Sequence, residues 1–226
     1  MLLDIVTLEY GPHSEVLLEV AQEVSFPLSK EDQKFIEDLK ETFLSIHGVG
    51  LAAPQVGVAR QIIVYQITPD AAAIRKEASP QPLQVFINPN YEPTKDAQLI
   101  QDWEGCFSVA TKMGKVPRYN KIHLTAFTPE GQKISQVVEG FTARVLQHEI
   151  DHVQGFLMTH RLTEECLQGS HEEMMQYRIQ EMNLNQLQTI KQMIEKDQLS
   201  VPEPSDRHKT LAETLALVNS RIQELS

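Results

Sequence analysis

Thr142-Ala143-Arg144-Val145-Leu146-Gln147-His148-Glu149-Ile150-Asp151-His152 predicts one helix, running from about Thr142 to Gln154 and stopped by Gly155. Side chains four residues apart stand one above the other on a helix. His148 and His152 therefore share a face, and both imidazoles can reach one metal ion. Glu149 follows the first of them and can reach a water activated by that metal. The metal lowers the water's pKa, and the carboxylate takes the proton and later delivers it to a leaving group. The bland alternative is two buried histidines satisfied by neighbours, with Glu149 on a solvated face.

An H-E-x-x-H pair needs a third ligand. A metzincin continuation requires glycine and then histidine at fixed places. Gly155 fits the first, but Met158 stands at the second. Glu164 and Glu165 are downstream carboxylate candidates. Cys106, in Trp103-Glu104-Gly105-Cys106-Phe107-Ser108, is the other. Its thiolate suits zinc or iron, and Gly105 lets the backbone bend. A lone cysteine beside a tryptophan is equally a small buried hydrophobe.

Outward from this stretch, Lys121–Phe127 alternates, with Ile122, Leu124 and Ala126 on one face. Pro129-Glu130-Gly131 turns it back into Ile134–Val138, which makes a hairpin. Gln61–Ile67 is β-branched and aromatic and reads as a strand. Val85-Phe86-Ile87 reads as another, stopped by Asn88-Pro89-Asn90. Residues 69–84, with three prolines, read as a loop insertion. Ser29-Lys30-Glu31-Asp32 caps a helix whose apolar face is Phe35, Ile36, Leu39, Phe43 and Leu44, ending at Gly48-Val49-Gly50. Before it, a short strand or turn and a small apolar helix are expected, ending near Pro27.

After about Glu164 the composition shifts to Gln, Glu, Leu and Met. Ser170-His171-Glu172-Glu173 is a capping box. Met175, Ile179, Met182, Ile190 and Met193 share a helical face, interrupted by Pro202 and Pro204. Thr210-Leu211-Ala212-Glu213 opens a last helix with Leu211, Leu215, Val218, Ile222 and Leu225 at spacings of four and three. This stripe either packs on the main domain or serves self-association.

The 226 residues carry a net charge of -11, which argues against a broad nucleic-acid surface and direct DNA binding. No apolar run has the roughly 18 residues of a membrane span. The start, Met1-Leu2-Leu3-Asp4, has no basic n-region, so a cytoplasmic location is expected. The two cysteines, Cys106 and Cys166, read as free thiols or ligands.

Three segments occur in order: Gly48-Val49-Gly50-Leu51-Ala52-Ala53-Pro54-Gln55, Glu104-Gly105-Cys106-Phe107-Ser108 and Gln147-His148-Glu149-Ile150-Asp151-His152. Between them stand Asn88-Pro89, Val116-Pro117-Arg118-Tyr119 and Glu139-Gly140-Phe141. This set resembles the peptide deformylase family over roughly residues 1–163. The resemblance implies an α+β fold, with antiparallel sheets around a central helix carrying His148-Glu149-Ile150-Asp151-His152. It makes residues 1–163 a catalytic domain and 164–226 a helical C-terminal extension.

The same resemblance implies removal of the formyl group from the N-terminal formyl-methionine of new polypeptides, near the ribosome. Cys106, His148 and His152 would hold one divalent metal, iron(II) in the cell, with zinc, nickel or cobalt also suited. Glu149 would be general base and acid. Gln55 and the backbone N–H of Phe107 would donate to the oxyanion, and the Gly50 backbone would align the peptide. Val49, Phe141 and Val145 are expected to line the methionine pocket. Arg118 is open between substrate contact and a structural ion pair. Phe107 stands where the family usually has leucine, and Ala110-Thr111-Lys112-Met113 stand where it often has proline and glycine. With the long acidic extension, these departures give the alternative of a catalytically weak or inactive binding protein.

Overall fold

A computed structural model describes residues 1–9, 14–200 and 205–226, with the side chains of Ser200, Asp206 and Arg207 left aside. The fold is mixed α+β. Helix α1 spans Lys30–Ser45 and α2 Pro69–Ala73. Strands β1 (Gly50–Ala52), β2 (Ile62–Ile67), β3 (Gln81–Pro93), β6 (Lys121–Phe127) and β7 (Lys133–Glu139) form one antiparallel sheet in the order β1-β2-β3-β6-β7. Strands β4 (Leu99–Cys106), β5 (Val109–Tyr119) and β8 (Gln168–Gly169) form a second. Helix α3 covers Gly140–Val153, and α4 (His171–Gln180), α5 (Leu184–Ser200) and α6 (Asp206–Leu225) follow.

Strand β2 explains the layering. Successive side chains point to opposite faces of a sheet. Ile63, Tyr65 and Ile67 pack in one core with Phe141, Val145, Leu146 and Ile150 of α3. Ile62 and Val64 pack in another with Ile36, Leu39 and Phe43 of α1. Both faces of β2 are thus covered, which is why residues 62–65 are consecutive apolar residues rather than an alternation. Each such side chain contributes about 1.5–3 kcal/mol on full burial. The helix with the two histidines lies against this sheet, with eleven of its residues buried from Phe141 to Val153.

Several boundaries differ from the sequence reading, each for a local reason. Residues 69–84 are not a plain loop. Thr68 caps the start of α2 by accepting from the Ala71 N–H at 3.2 Å, and Pro69 occupies the first turn, where its missing N–H costs nothing. Strand β3 does not stop at Asn88. It passes through an irregularity between Ile87 and Asn90, where Asn88 has φ 48 and its amide exchanges hydrogen bonds with the Val24 backbone at 2.8 and 2.9 Å. Strands β4 and β5 were not expected at all. Their charged residues hide the periodicity. Helix α1 ends at Ser45, before the glycines, and α3 begins at Gly140 rather than Thr142. In place of a helix before Pro27 there is one 3-10 turn, Ser14–Leu18.

The C-terminal stripe from Met175 to Met193 is split between α4 and α5. Asn183 and Gln186 cap each other reciprocally at 3.0 and 3.1 Å, which starts the second helix. The last helix opens at Ser205, whose hydroxyl accepts from His208 N–H, rather than at Thr210. Pro202 and Pro204 lie outside the described residues. Met175, Ile179, Met182, Ile190 and Val218 are buried in one cluster with Ile74, Trp103 and Met113, so the stripe packs on the β4–β5 sheet. Glu181 fastens this contact, accepting from Trp103 Nε1 at 2.8 Å and Lys115 Nζ at 2.6 Å. No described helix is long and apolar enough to cross a membrane.

Candidate active site

The second sheet delivers the third member of the group. Strands β4 and β5 pair from Leu99–Tyr119 to Cys106–Val109, with a register shift between Glu104 and Cys106 that turns the chain tightly at Phe107-Ser108. This brings Cys106 against α3. Its sulfur lies 3.3 Å from Nε2 of His152, and ligand atoms of Cys106, His148 and His152 all lie within 4.8 Å of one another. Glu164 and Glu165 are not in this group. The imidazole rings stand edge to face, with centroids 5.1 Å apart.

A second set of contacts aims these ligands. Oε2 of Glu104 lies 2.9 Å from Nδ1 of His148, which leaves Nε2 of that ring for a metal. The same carboxylate accepts from Arg118 at 3.1 and 3.0 Å and from Arg144 at 2.7 Å. Arg118 also pairs with Asp151, which takes two further hydrogen bonds from Arg161 at 3.0 and 2.7 Å. Arg118 is thus a structural ion-pair residue, 2 % exposed. Buried charges are tolerated when paired and hydrogen-bonded in this way. The partners Glu104, Asp151, Arg144 and Arg161 received no role from the sequence, although the first three stand inside its quoted segments.

Burial and this network set the local ionisation. Burial pushes His152 far below the ordinary histidine range, so it is neutral, the form that binds a metal. Burial also works against His148, but Cys106 and Glu104 pull it well above. Glu104 is held far below the carboxylate range: burial opposes this, and Arg118 and His148 outweigh it. Burial raises Glu149 to about 7, and Oε2 of this side chain has no hydrogen-bond partner. A buried carboxylate left free beside two imidazoles and a thiol is poised to move a proton.

The remaining predicted residues converge on the same place. Gln55 is buried in the 3-10 turn Ala53–Val56. Its Oε1 accepts from the Ala52 N–H at 2.9 Å, which turns Nε2 toward the Cys106 sulfur at 3.6 Å. Gly50 lies on β1 directly against Glu149, whose carboxylate fills the space of a β-carbon. Phe107 is half exposed, and its ring lies over Gly48: a β-carbon there would stand 2.6 Å from Cε2. Val49, Phe141 and Val145 meet in one apolar cluster, with the Arg75 guanidinium 5.3 Å over the Phe141 ring.

Two imidazoles, one thiolate and an adjacent protonatable carboxylate on an α+β scaffold define the class of metal-dependent hydrolases. Residues 5–168 match the family model described as polypeptide deformylase. Peptide deformylase 2 of Ralstonia nicotianae is 41% identical over 151 residues, covering 65% of this chain and 81% of the relative. Peptide deformylase 1 of Bordetella pertussis is 40% identical over the same length and the same shares. Among solved structures, the class I type b peptide deformylase of Acinetobacter baumannii with Met-Ala-Ser bound matches at TM-score 0.61 and 29% identity, covering 72% of this chain and 99% of that one. The peptide deformylase of Thermotoga maritima matches at TM-score 0.60 and 27% identity, with the same coverage. The chain belongs to the polypeptide deformylase family.

Proposed function

We propose that this chain removes the formyl group from the N-terminal formyl-methionine of newly made polypeptides, working in the cytoplasm near the ribosome. The observation that carries the reading is the grouping of Cys106, His148 and His152 ligand atoms within 4.8 Å, with the free Glu149 carboxylate beside them. A protein of this family solved with Met-Ala-Ser bound supports the substrate class. Residues 1–163 form the catalytic domain in this reading, and 164–226 the extension that covers Trp103.

Cys106, His148 and His152 hold one divalent metal, iron(II) in the cell. Zinc, nickel and cobalt suit the same donor set. The metal supplies Lewis acidity at the formyl carbonyl. Glu104 keeps the His148 ring oriented. Glu149 takes a proton from the attacking water and gives it to the methionine nitrogen as the formyl C–N bond breaks, which frees formate and the peptide amine. Gln55 Nε2 and the Phe107 N–H donate to the carbonyl oxygen as negative charge develops there; removing one such donor costs about 10²–10³ in kcat. The Gly50 backbone aligns the peptide, and Val49, Phe141 and Val145 take the methionine side chain. Formate release from a formyl-Met peptide by protein loaded anaerobically with iron, nickel or cobalt tests this reading. Release no faster than that of a Glu149→Ala control ends it.

A further inference from the structure

A cavity of about 40 Å³ lies where the segment after α2, strand β4 and the α4–α5 corner meet. Its charged lining is Arg75, Lys76, Arg178, Asp102 and Glu181. Both carboxylates also accept hydrogen bonds. Glu181 accepts from Trp103 Nε1 and Lys115, and Asp102 accepts from the Trp103 N–H at 2.8 Å. Through space Asp102 also acts on Arg75, and Glu181 on Lys76. Among the described residues no carboxylate is within ion-pair distance of Arg75, Lys76 or Arg178. Arg178 is only 9% exposed, and its buried Nη2 has no hydrogen-bond partner. Burial lowers Arg75 to about 10, which still leaves it charged at neutral pH.

A buried guanidinium nitrogen without a partner is costly, and this lining sets three cations against two carboxylates in a chain of net charge -11. We infer that this cavity is a binding site for a small oxyanion, held by Arg75, Lys76 and Arg178 between the catalytic domain and the C-terminal extension. Guanidinium forks match the paired oxygens of carboxylate and phosphate. One water needs about 10–15 Å³, so the space takes an anion of formate to phosphate size and excludes a nucleotide. Two sources share this chemistry: free phosphate, and formate, the product of deformylation. Only the formate source rests on the proposed function. The occupant would tie Arg178 on α4 to Arg75, whose guanidinium lies over Phe141.

Trp103 lines the cavity and is the single tryptophan, so its emission reports occupancy. Metal-loaded full-length protein is titrated with sodium phosphate and, separately, with sodium formate, each against sodium chloride at matched ionic strength. Emission and melting temperature are both followed. The expected result is a saturable emission change and a raised melting temperature with at least one oxyanion, weakened about tenfold or more in Arg178→Met and in Lys76→Met. Formate alone, phosphate alone, or both identify the source. Lys76 is exposed, so its variant decides the matter if Arg178→Met does not fold. No saturable change, or a folded variant that binds like the parent, overturns the site. The second result would place the anion elsewhere, such as at the metal. A parent-like formate-release rate under either outcome keeps this test separate from that of the catalytic reading.

Discussion

The Glu149 carboxylate occupies the space that a side chain on Gly50 would need: a β-carbon there would stand 2.5 Å from Cδ of Glu149. One strand residue, by lacking a side chain, sets where this carboxylate of the helix can rest. Gly50→Ala should push the carboxylate out of place while leaving Cys106, His148 and His152, the ligands in the proposed function, untouched. A misplacement of about 1 Å costs on the order of 10² in rate. The expected outcome is that loss in kcat at unchanged metal content, read by formate release beside metal analysis. Parent-like turnover would show that Glu149 works from another position.

Glu104 has four hydrogen bonds to three residues on two elements, and its removal leaves buried Arg144 without its carboxylate and Arg118 with Asp151 alone. Glu104→Ala should destabilise the fold by about 3–5 kcal/mol, as expected for a broken buried ion pair. It should also weaken metal binding about 10–100-fold, because His148 loses the acceptor that orients its ring. Urea unfolding and chelator competition measure the two effects. A variant with intact metal affinity would separate Glu104 from the site and leave it a purely structural role.

Helices α4 to α6 should unfold together with the β4–β5 sheet, because their side chains share one core. Leu187 on α5 is fully buried in the cluster that contains Trp103. Leu187→Ala should cost about 2–5 kcal/mol and still give one transition. Trp103 emission and far-ultraviolet circular dichroism should trace the same curve. Two separated transitions would mean that the extension is an independent unit.

Glu181 makes the same interface sensitive to acid. Burial raises its pKa, but the Lys115 ammonium and the Trp103 indole N–H outweigh that and hold it below the ordinary value of 4.5. A carboxylate with a depressed folded pKa contributes stability above its unfolded pKa and loses it as pH falls through the folded one. Trp103 emission should therefore shift to the red as pH drops below about 4.5, near the unfolded glutamate value. The step should be absent in Glu181→Gln, whose side chain does not titrate. An identical step in that variant would assign it to another group.

By itself the sequence determined whatever rests on local spacing. Residues four apart on a helix share a face wherever that helix is placed, so His148 and His152 were legible as a pair, with Glu149 beside them. The order of the three segments, joined to the family resemblance, added Cys106, Gln55 and Gly50, and the β-branched and aromatic content of β2 indicated a strand. Tertiary structure decided the rest. Cys106 reaches His152 across 46 residues only because β4 and β5 pair, and those strands read as polar because Asp102, Glu104, Lys115 and Arg118 interrupt them. Charged side chains look like solvent positions in a local pattern. They become interior ones when oppositely charged partners from separate elements meet, as Glu104, Arg118, Arg144 and Asp151 do here. The same holds for the extension: its apolar stripe was plain in the sequence, but only the packed chain shows that Trp103 and Met113 cover it and that Arg75, Lys76 and Arg178 meet around a cavity at the seam.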